Sequence, residues 1–486
     1  MTVREVLSEA SITVDVPEKI WTAHVSGLEY DSRRVKPGYL FFAFPGAHVD
    51  GRAFAGSALE KGAIAIVSEL PAPAGFDGPW ITVDHGRRAL ATAARNFYGC
   101  PDQRLALTGV TGTNGKTTTT FLIDSVLRHA GKTTALIGTI EYRLGAQVLP
   151  ALNTTPESLD LFRIFHRLES IGGTHVTMEV SSHALALERV HGIHFQTAVF
   201  TNLTRDHLDF HGTMEAYFEA KRRLFAHVPF AVINTDDEYG RRIAPDKETH
   251  TLTYGFGEDA ALRASDLEMT FAGLQFTVHH AGQTIALTSP LTGRINVYNI
   301  LAACGAALSL GLDWDAIAKA IQDTPRVPGR FETVDAGQPF LVVVDYAHTD
   351  DALRNVIAIA RALPHQRVIT LFGCGGDRDR SKRPLMGMAA AEASDFVVLT
   401  SDNPRSEDPL GIMNDALVGL RRFDTPLLME PDRNKAIHAA LAEARAGDIV
   451  ILAGKGHEPY QVLKDKTIAF DDREVARHAL ESLGYR

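Results

Sequence analysis

Residues 105–118 read LALTGVTGTNGKTT: an apolar run, a turn rich in glycine, and the start of a threonine-rich segment. LALTGV (105–110) has the make-up of a buried strand. TTTTFLIDSVLRHAG (117–131) reads as a helix, with Leu122 and Val126 one turn apart and Gly131 placed as a C-terminal stop. Strand, glycine loop and helix in that order form the setting in which a loop cradles phosphate, because backbone N–H groups and the helix N-terminus point at the same anion. Gly112 and Gly115 let those groups approach, Lys116 supplies a point charge, and the Thr117 hydroxyl can reach Mg²⁺. The usual spacing wants glycine at position 110, where this chain has Val110. A plain glycine turn with a solvated lysine is the competing reading, and the rest of the chain has to decide between them.

Outward from the loop, short apolar runs alternate with longer amphipathic segments: AIAIVS (63–68), TALIGT (134–139), AVFTNL (198–203), FAVINT (230–235), LVVVDYA (341–347), RVITLFGC (367–374), FVVLTSD (396–402) and DIVILAG (448–454). Such runs read as buried parallel strands joined by crossover helices, so the expected class is α/β. Pro/Gly punctuation at YGCPDQR (98–104) and TPRVPGR (324–330) divides the 486 residues into expected domains of 1–100, 101–330 and 331–486. The composition, 45% hydrophobic and 22% charged, is that of an ordinary soluble protein. A net charge of −10 argues against a nucleic-acid surface, which needs a basic footprint. Cys100, Cys304 and Cys374 are far apart and form no CxxC pair, which speaks against a disulfide framework or a thiolate zinc site. MTVREVLSEA is acidic where a signal peptide would be apolar, and no apolar run approaches the ~18 residues of a membrane span; a cytoplasmic protein without membrane insertion is expected.

Two further segments put polar residues where a strand ends, the place where open parallel sheets bind ligands. THVTMEVSSHAL (174–185) carries Glu179, Ser181, Ser182 and His183; AVFTNLTRDHLDFHG (198–212) carries Asn202, Asp206, His207, Asp209 and His211. No G-x-S-x-G elbow surrounds the Ser-Ser-His run, which removes the case for a nucleophilic serine. Glu179 and His207 read better as metal ligands or orienters beside phosphates, although histidine is an uncommon Mg²⁺ ligand and zinc stays open. A hydrogen-bonded structural role competes for each histidine.

These segments resemble the Mur ligases of peptidoglycan synthesis. GTNGKT (112–117) is that family's phosphate loop, offset by one residue from the common spacing. MEVSSHAL (178–185), NLTRDHLDFHG (202–212), the AK dipeptide ending at Lys221, GRINVYN (293–299), PGRFE (328–332) and DYAHT (345–349) follow in family order. The resemblance implies three α/β domains binding a UDP-sugar, ATP and an incoming amino acid respectively. The central one would have a P-loop-type, mostly parallel sheet with flanking helices and the last would be Rossmann-like, in a monomer. It implies an ATP-dependent amide ligase that activates a carboxylate as an acyl phosphate, a chemistry carried by positioning and charge neutralisation. Lys116, Glu179, His207 and Lys221 would be catalytic. Gly112, Thr113, Asn114, Gly115, Lys116, Thr117 and Thr118 would hold ATP with Asn234, Asn296, Asn299, Arg330, Asp345 and His348. By composition Lys221 is a surface lysine on the helix TMEAYFEAKRRLF; the family's matching lysine carries a CO₂-derived carbamate, which would join Thr117, Glu179 and His207 around Mg²⁺. Asn296 and Asn299 could equally pin a helix start.

YDSRRVKPGYLFFAFPGAHVDG (30–51) resembles the family's uridine-nucleotide segment, with Ser32, Ala47, His48 and Val49 at its binding positions. NTTPES (153–158) resembles the loop that meets the muramoyl-peptide, implicating Asn153, Thr154 and Thr155 together with Ser181 and Arg189. Leu187 departs from the glutamine of some members, and Asp350 from a common proline. In SDNPRSEDP (401–409) the DNPR sequence marks family members that use meso-diaminopimelate, and Arg405 offers a planar fork for that substrate's second carboxylate. Arg378, Asp402, Asn403, Pro404, Gly454 and Glu458 complete the implied amino-acid site. The expected reaction joins meso-diaminopimelate to UDP-N-acetylmuramoyl-L-alanyl-D-glutamate. The alternatives are a lysine-adding relative, a folylpolyglutamate-type ligase and a nucleotide-dependent switch.

Overall fold

The computed structural model describes residues 1–46, 49–270 and 273–485. All nine apolar runs are strands. The first sheet is small and wholly parallel, with Gly27–Glu29, Tyr39–Phe42, Ala65–Ser68 and Trp80–Thr82 side by side in chain order.

The second sheet has eleven strands, and six of its ten pairings are parallel. At its centre Ala106–Thr111 lies between His175–Glu179 and Thr197–Phe200, so three chain segments deliver their C-terminal ends to one edge. The helix Lys116–His129 follows the glycine loop directly. Its Leu122, Ile123, Val126 and Leu127 pack with Val297, Ile300, Leu301 and Cys304 of the helix Arg294–Ser309 in one buried cluster. Each such side chain contributes about 1.5–3 kcal/mol on leaving water. Antiparallel pairings flank the parallel centre: Glu141–Leu144 and Gln147–Pro150 at one edge, and at the other Gly273–His280 and Gln283–Ser289, which follow the last parallel strand, Leu262–Thr270.

The third sheet runs Glu332–Val334, Leu341–Asp345, Ile449–Ala453, Val368–Phe372, Phe396–Leu399, Leu427–Met429, parallel except for its first pair. Val343, Ile451 and Val397 fill one face while Val342, Val344, Val450, Leu452 and Val398 fill the other, the period-two signature of a sheet covered on both sides. Among the described residues no helix is long and apolar enough to cross a membrane.

Candidate active site

Val110 is a strand residue, fully buried and in register with Glu179 and Val199 on the neighbouring strands. The turn begins two residues later, and there glycine is required. Gly112 (φ +151°) and Gly115 (φ +85°) have backbone geometry that side chains rarely adopt. A Cβ at the first would collide with the Thr201 hydroxyl, and one at the second with Asn299 Oδ1. The loop is braced by the segment after Thr197–Phe200. Thr113 N donates to Asn202 O (2.8 Å), Asn114 N to Asn202 Oδ1 (2.9 Å), and Thr201 Oγ1 to Asn114 O (2.7 Å). Gly112→Ala should therefore weaken nucleotide binding by on the order of tenfold and lower the melting temperature by a few degrees. Nucleotide titration alongside a thermal melt checks this; unchanged affinity would refute the tight fit of the loop.

Glu179 is buried at a strand end, where its Oε1 accepts from Thr117 Oγ1 (2.9 Å) and Thr139 N (2.8 Å) and its Oε2 from Thr139 Oγ1 (3.1 Å). The phosphate-loop threonine and the carboxylate are thus one oxygen-rich unit. Thr139 ends the run TALIGT, and that strand-end position is the sequence signal that marks it.

Two lysine side chains converge on one carbonyl: Lys116 Nζ (2.9 Å) and Lys221 Nζ (2.7 Å) both donate to Gly112 O. Lys221 is no surface lysine. It is 1% exposed and lies over the Tyr217 ring at 4.7 Å, because its helix, Met214–Arg222, turns this face inward. Burial, and then the nearby Lys116 charge, holds the Lys221 amine well below the ordinary lysine range; burial also lowers Lys116. His207, in left-handed backbone (φ +53°), sits 3.4 Å from Asp206, and burial lowers its imidazole pKa. Its ring meets His183 edge-on, and His183 also contacts His211, whose pKa burial pushes down to about 4. Ser181 caps the short helix Ser182–Ala186, accepting from Ala184 N (3.2 Å).

A cleft of about 250 Å³ gathers Thr113 to Thr118, Thr154, Glu179, Ser181, His207, Asn296, Asn299, Arg330, Asp345 and His348. Arg330 spans it: Nη2 donates to Thr117 Oγ1 (3.2 Å), and its guanidinium lies 4.8 Å over the Tyr346 ring. Asp345 accepts from Phe331 N (2.7 Å) and Ala347 N (2.9 Å), and burial raises its pKa; burial lowers that of His348. Asn296 and Asn299 do also pin the helix: Asn296 Nδ2 donates to Thr292 O (2.7 Å) and Asn299 Nδ2 to Asn296 Oδ1 (2.9 Å). Asn114 Nδ2 donates to Asp351 Oδ2 (2.7 Å), a tie from the phosphate loop to the helix Asp350–Ala362 that sequence reading missed.

Some expected residues stand apart from this cleft. Asn234 is buried with Nδ2 donating to Thr201 O (2.7 Å) and Oδ1 accepting from Asp236 N (3.0 Å). Thr155 Oγ1 donates to Glu179 O (2.8 Å), tying the 153–158 loop to the strand end, and Asn153 N donates to Tyr142 Oη (3.0 Å). Arg189 Nε donates to Glu157 Oε1 (3.0 Å) and its Nη1 to Thr155 O (3.1 Å). Ser32 lies between the strands Gly27–Glu29 and Tyr39–Phe42 of the first sheet with its carbonyl accepting from Lys61 Nζ (2.8 Å), and Val49 is exposed. Ala47 and His48 fall outside the described residues.

The second constellation lies at the strand ends of the third sheet. Asn403 Nδ2 donates to Glu458 Oε2 (3.0 Å), and the fully buried Lys455 Nζ lies 3.3 Å from both Asn403 Oδ1 and Glu458 Oε2. Arg405, at φ +50°, donates from Nη1 to Gly376 O (2.8 Å), and a Cβ on Gly375 would lie 3.1 Å from that nitrogen and 3.9 Å from the stem of Arg378. The Pro404 carbonyl packs on Gly376. Gly454 (φ +117°) leaves room for Asp402, whose Oδ2 would stand 2.5 Å from a Cβ there. Tyr346 Oη donates to Glu458 Oε1 (3.3 Å), so Thr117, Arg330, Tyr346 and Glu458 form one contact path between the two sites.

A glycine loop with a buried carboxylate and two converging lysines, linked to a charged cluster at the strand ends of another sheet, has the make-up of an α/β enzyme that handles phosphate groups. The chain belongs to the Mur ligase family and is a ligase: the family's sequence models match at residues 24–98 (Mur ligase family, catalytic domain), 110–307 (Mur ligase middle domain) and 329–456 (Mur ligase, glutamate ligase domain). It is 64% identical over 490 residues to the UDP-N-acetylmuramoyl-L-alanyl-D-glutamate–2,6-diaminopimelate ligase of Solibacter usitatus (strain Ellin6076), across 100% of this chain and 99% of that one. The ligase of the same name from Geobacillus thermodenitrificans (strain NG80-2) is 49% identical over 466 residues, across 94% of this chain and 95% of that one. A solved structure of a ligase of that name superposes with a TM-score of 0.71 at 35% identity over 100% of both chains. A Thermotoga maritima MurF ligase in complex with ADP shares the fold, with a TM-score of 0.65 at 19% identity over 95% of this chain and 99% of that one.

Proposed function

We propose that this ligase uses ATP to join meso-diaminopimelate to UDP-N-acetylmuramoyl-L-alanyl-D-glutamate, in the cytoplasm and as a monomer. Residues 1–100 bind the uridine nucleotide, 101–330 bind ATP and 331–486 bind the amino acid. The observation that carries the reading is the path from Thr117 through Arg330 and Tyr346 to Glu458, which links the glycine loop to the charged cluster of Asn403, Lys455 and Glu458; such a cluster suits a zwitterion with a second carboxylate. The names of the relatives support the choice of substrates.

In this mechanism the loop N–H groups and Lys116 hold the ATP phosphates while the glutamate side-chain carboxylate attacks the γ-phosphorus. ADP leaves and an acyl phosphate remains. The amine of diaminopimelate then attacks the acyl carbon, the C–O bond breaks, inorganic phosphate departs and the amine nitrogen gives up its proton. The donor set fits Mg²⁺, which takes oxygen ligands: the Thr117 hydroxyl and the Glu179 carboxylate would hold it, with His207 nearby. When bound it neutralises charge on the phosphates. Lys221 fits a carbamate because only an unprotonated amine adds to CO₂, and burial favours that form. Glu458 faces an ammonium, and Arg405 with Arg378 takes the distal carboxylate.

The test is direct. Purified protein with ATP, Mg²⁺ and the UDP-muramoyl-dipeptide should release phosphate and gain the product mass with meso-diaminopimelate. L-lysine should give a small fraction of that rate. Equal turnover with both amino acids, or phosphate release without either, would sink the assignment.

A further inference from the structure

Arg433 and Asp472 form an ion pair with both side chains fully buried, Nε to Oδ1 at 2.8 Å and Nη2 to Oδ2 at 2.5 Å. Neither residue belongs to the sites above. Arg433 opens the helix Arg433–Glu443, and Asp472 opens the helix Asp472–Ser482. A buried pair of this kind adds little net stability, because losing water offsets most of the attraction, and apolar residues of similar volume fill such a space as well.

What apolar residues would not supply are the remaining donors. Arg433 Nη2 donates to Ala453 O (2.9 Å) and Nη1 to Ser401 O (3.4 Å). Those carbonyls stand immediately before Gly454 and Asp402, where the two amino-acid-site loops begin. Their strands, Phe396–Leu399 and Ile449–Ala453, are not neighbours in the sheet, since Val368–Phe372 lies between them. No backbone ladder therefore fixes one strand end against the other, and one guanidinium bridges the gap. Above it the loops meet through Asn403 Nδ2 to Glu458 Oε2 (3.0 Å), Lys455 Nζ to Asn403 Oδ1 (3.3 Å) and Gln461 Nε2 to Asp402 O (2.6 Å), with Arg405 N–H on Val462 O (3.1 Å) further out, so a change in strand-end separation reaches the groups of the proposed amino-acid site through these bonds.

We infer that Arg433, fixed by Asp472, is a positioning residue for amino-acid binding: it sets the distance between the Asp402–Arg405 and Gly454–Glu458 loops. The inference rests on the amino-acid site assigned under Proposed function. Misplacing binding groups by about 1 Å can cost on the order of 10²-fold, which makes such a clamp consequential.

The experiment measures KM separately for meso-diaminopimelate, ATP and the UDP-muramoyl-dipeptide. It compares the wild type, the double variant Arg433→Met with Asp472→Leu, and Arg433→Lys. The double variant keeps the volume and removes the buried charges but leaves both carbonyls unheld. Its diaminopimelate KM should rise about tenfold or more while the ATP KM stays within about twofold. Lysine keeps the pairing with Asp472 but has one donor group for two carbonyls, so Arg433→Lys should show a smaller rise in the same KM and decides the matter if the double variant does not fold. An unchanged diaminopimelate KM in either folded variant, or an equal rise in all three KM values, would overturn the proposal. Wild-type protein that releases no phosphate in response to diaminopimelate would remove the site itself, a failure seen before any variant is made and separate from failure of the clamp.

Discussion

Lys221→Ala is expected to lower turnover by about three orders of magnitude while leaving the fold intact, with partial recovery in millimolar acetate or propionate. The magnitude follows from the position of the side chain: it donates to Gly112 O, the carbonyl that Lys116 also uses, so whatever charge it carries acts on the phosphate loop. As an ammonium it would repel Lys116 across a site that, in the proposed mechanism, holds phosphates and a metal. As a carbamate it would offer oxygen ligands of the kind Mg²⁺ takes to the site proposed for that ion. Short carboxylates restore oxygen ligands but not an amine; rescue by alkylamines in place of carboxylates would refute the carbamate role. Stability gives an independent check with a definite sign. The unfolded lysine titrates near 10.5 and the folded one well below it. Between those values the unfolded chain binds the extra proton, so wild-type stability rises with pH through that window. Lys221→Met removes this dependence. In CO₂-free buffer the variant's advantage over the wild type near pH 7 should be about 1.4 kcal/mol for each unit of lowering that lies above pH 7, and this pH-dependent part should vanish by about pH 10.5. A gain independent of pH in denaturant titrations would show that Lys221 is not held neutral.

The parallel strands were legible because burial on both faces leaves runs such as LVVVD and DIVIL with no alternation to confuse. The flanking strands were not. Leu262–Thr270 carries Arg263, Asp266 and Glu268, and Gly273–His280 and Gln283–Ser289 alternate polar with apolar residues, so no continuous apolar run marks them. Nor does Glu141–Leu144, whose Arg143 and Glu141 pair along the strand. The phosphate loop was legible because its glycines answer local backbone demands. Lys221 was not, since inward orientation of a lysine depends on the whole helix packing over Gly112, and composition alone favoured the surface. Asn234 and Arg189 show the converse: the motifs locate them, but their side chains are engaged with Thr201, Asp236, Glu157 and Thr155, contacts set by tertiary structure. The departure at Asp350 is physically mild. It occupies the first turn of the helix Asp350–Ala362 behind the Thr349 cap, where a carboxylate complements the helix N-terminus as readily as proline fits its backbone.

Arg405→Ala should raise the KM for meso-diaminopimelate by about 10²-fold and leave ATP affinity within about twofold. The substitution is a clean probe of the side chain. Arg405 already holds left-handed backbone (φ +50°) with a Cβ in place, so alanine adds no conformational strain and the turn persists through the bond from its N–H to Val462 O (3.1 Å). What is removed is the guanidinium, whose Nη1 spans Gly376 O and Asn403 O and so sits where the 373–384 and 401–409 loops meet. On the proposed assignment two effects then act on one KM: a lost partner for the distal carboxylate, and slack between the loops. Arg405→Lys separates them. A lysine retains the charge but not the planar fork, so it should recover only part of the affinity if bidentate pairing is the main contribution. L-lysine, which lacks that carboxylate, should bind no worse to Arg405→Ala than to the wild type, because the removed cation repels its side-chain ammonium. Equal losses for both amino acids would assign Arg405 to loop geometry alone, and a parallel loss of ATP affinity would show that the two constellations are not separable sites.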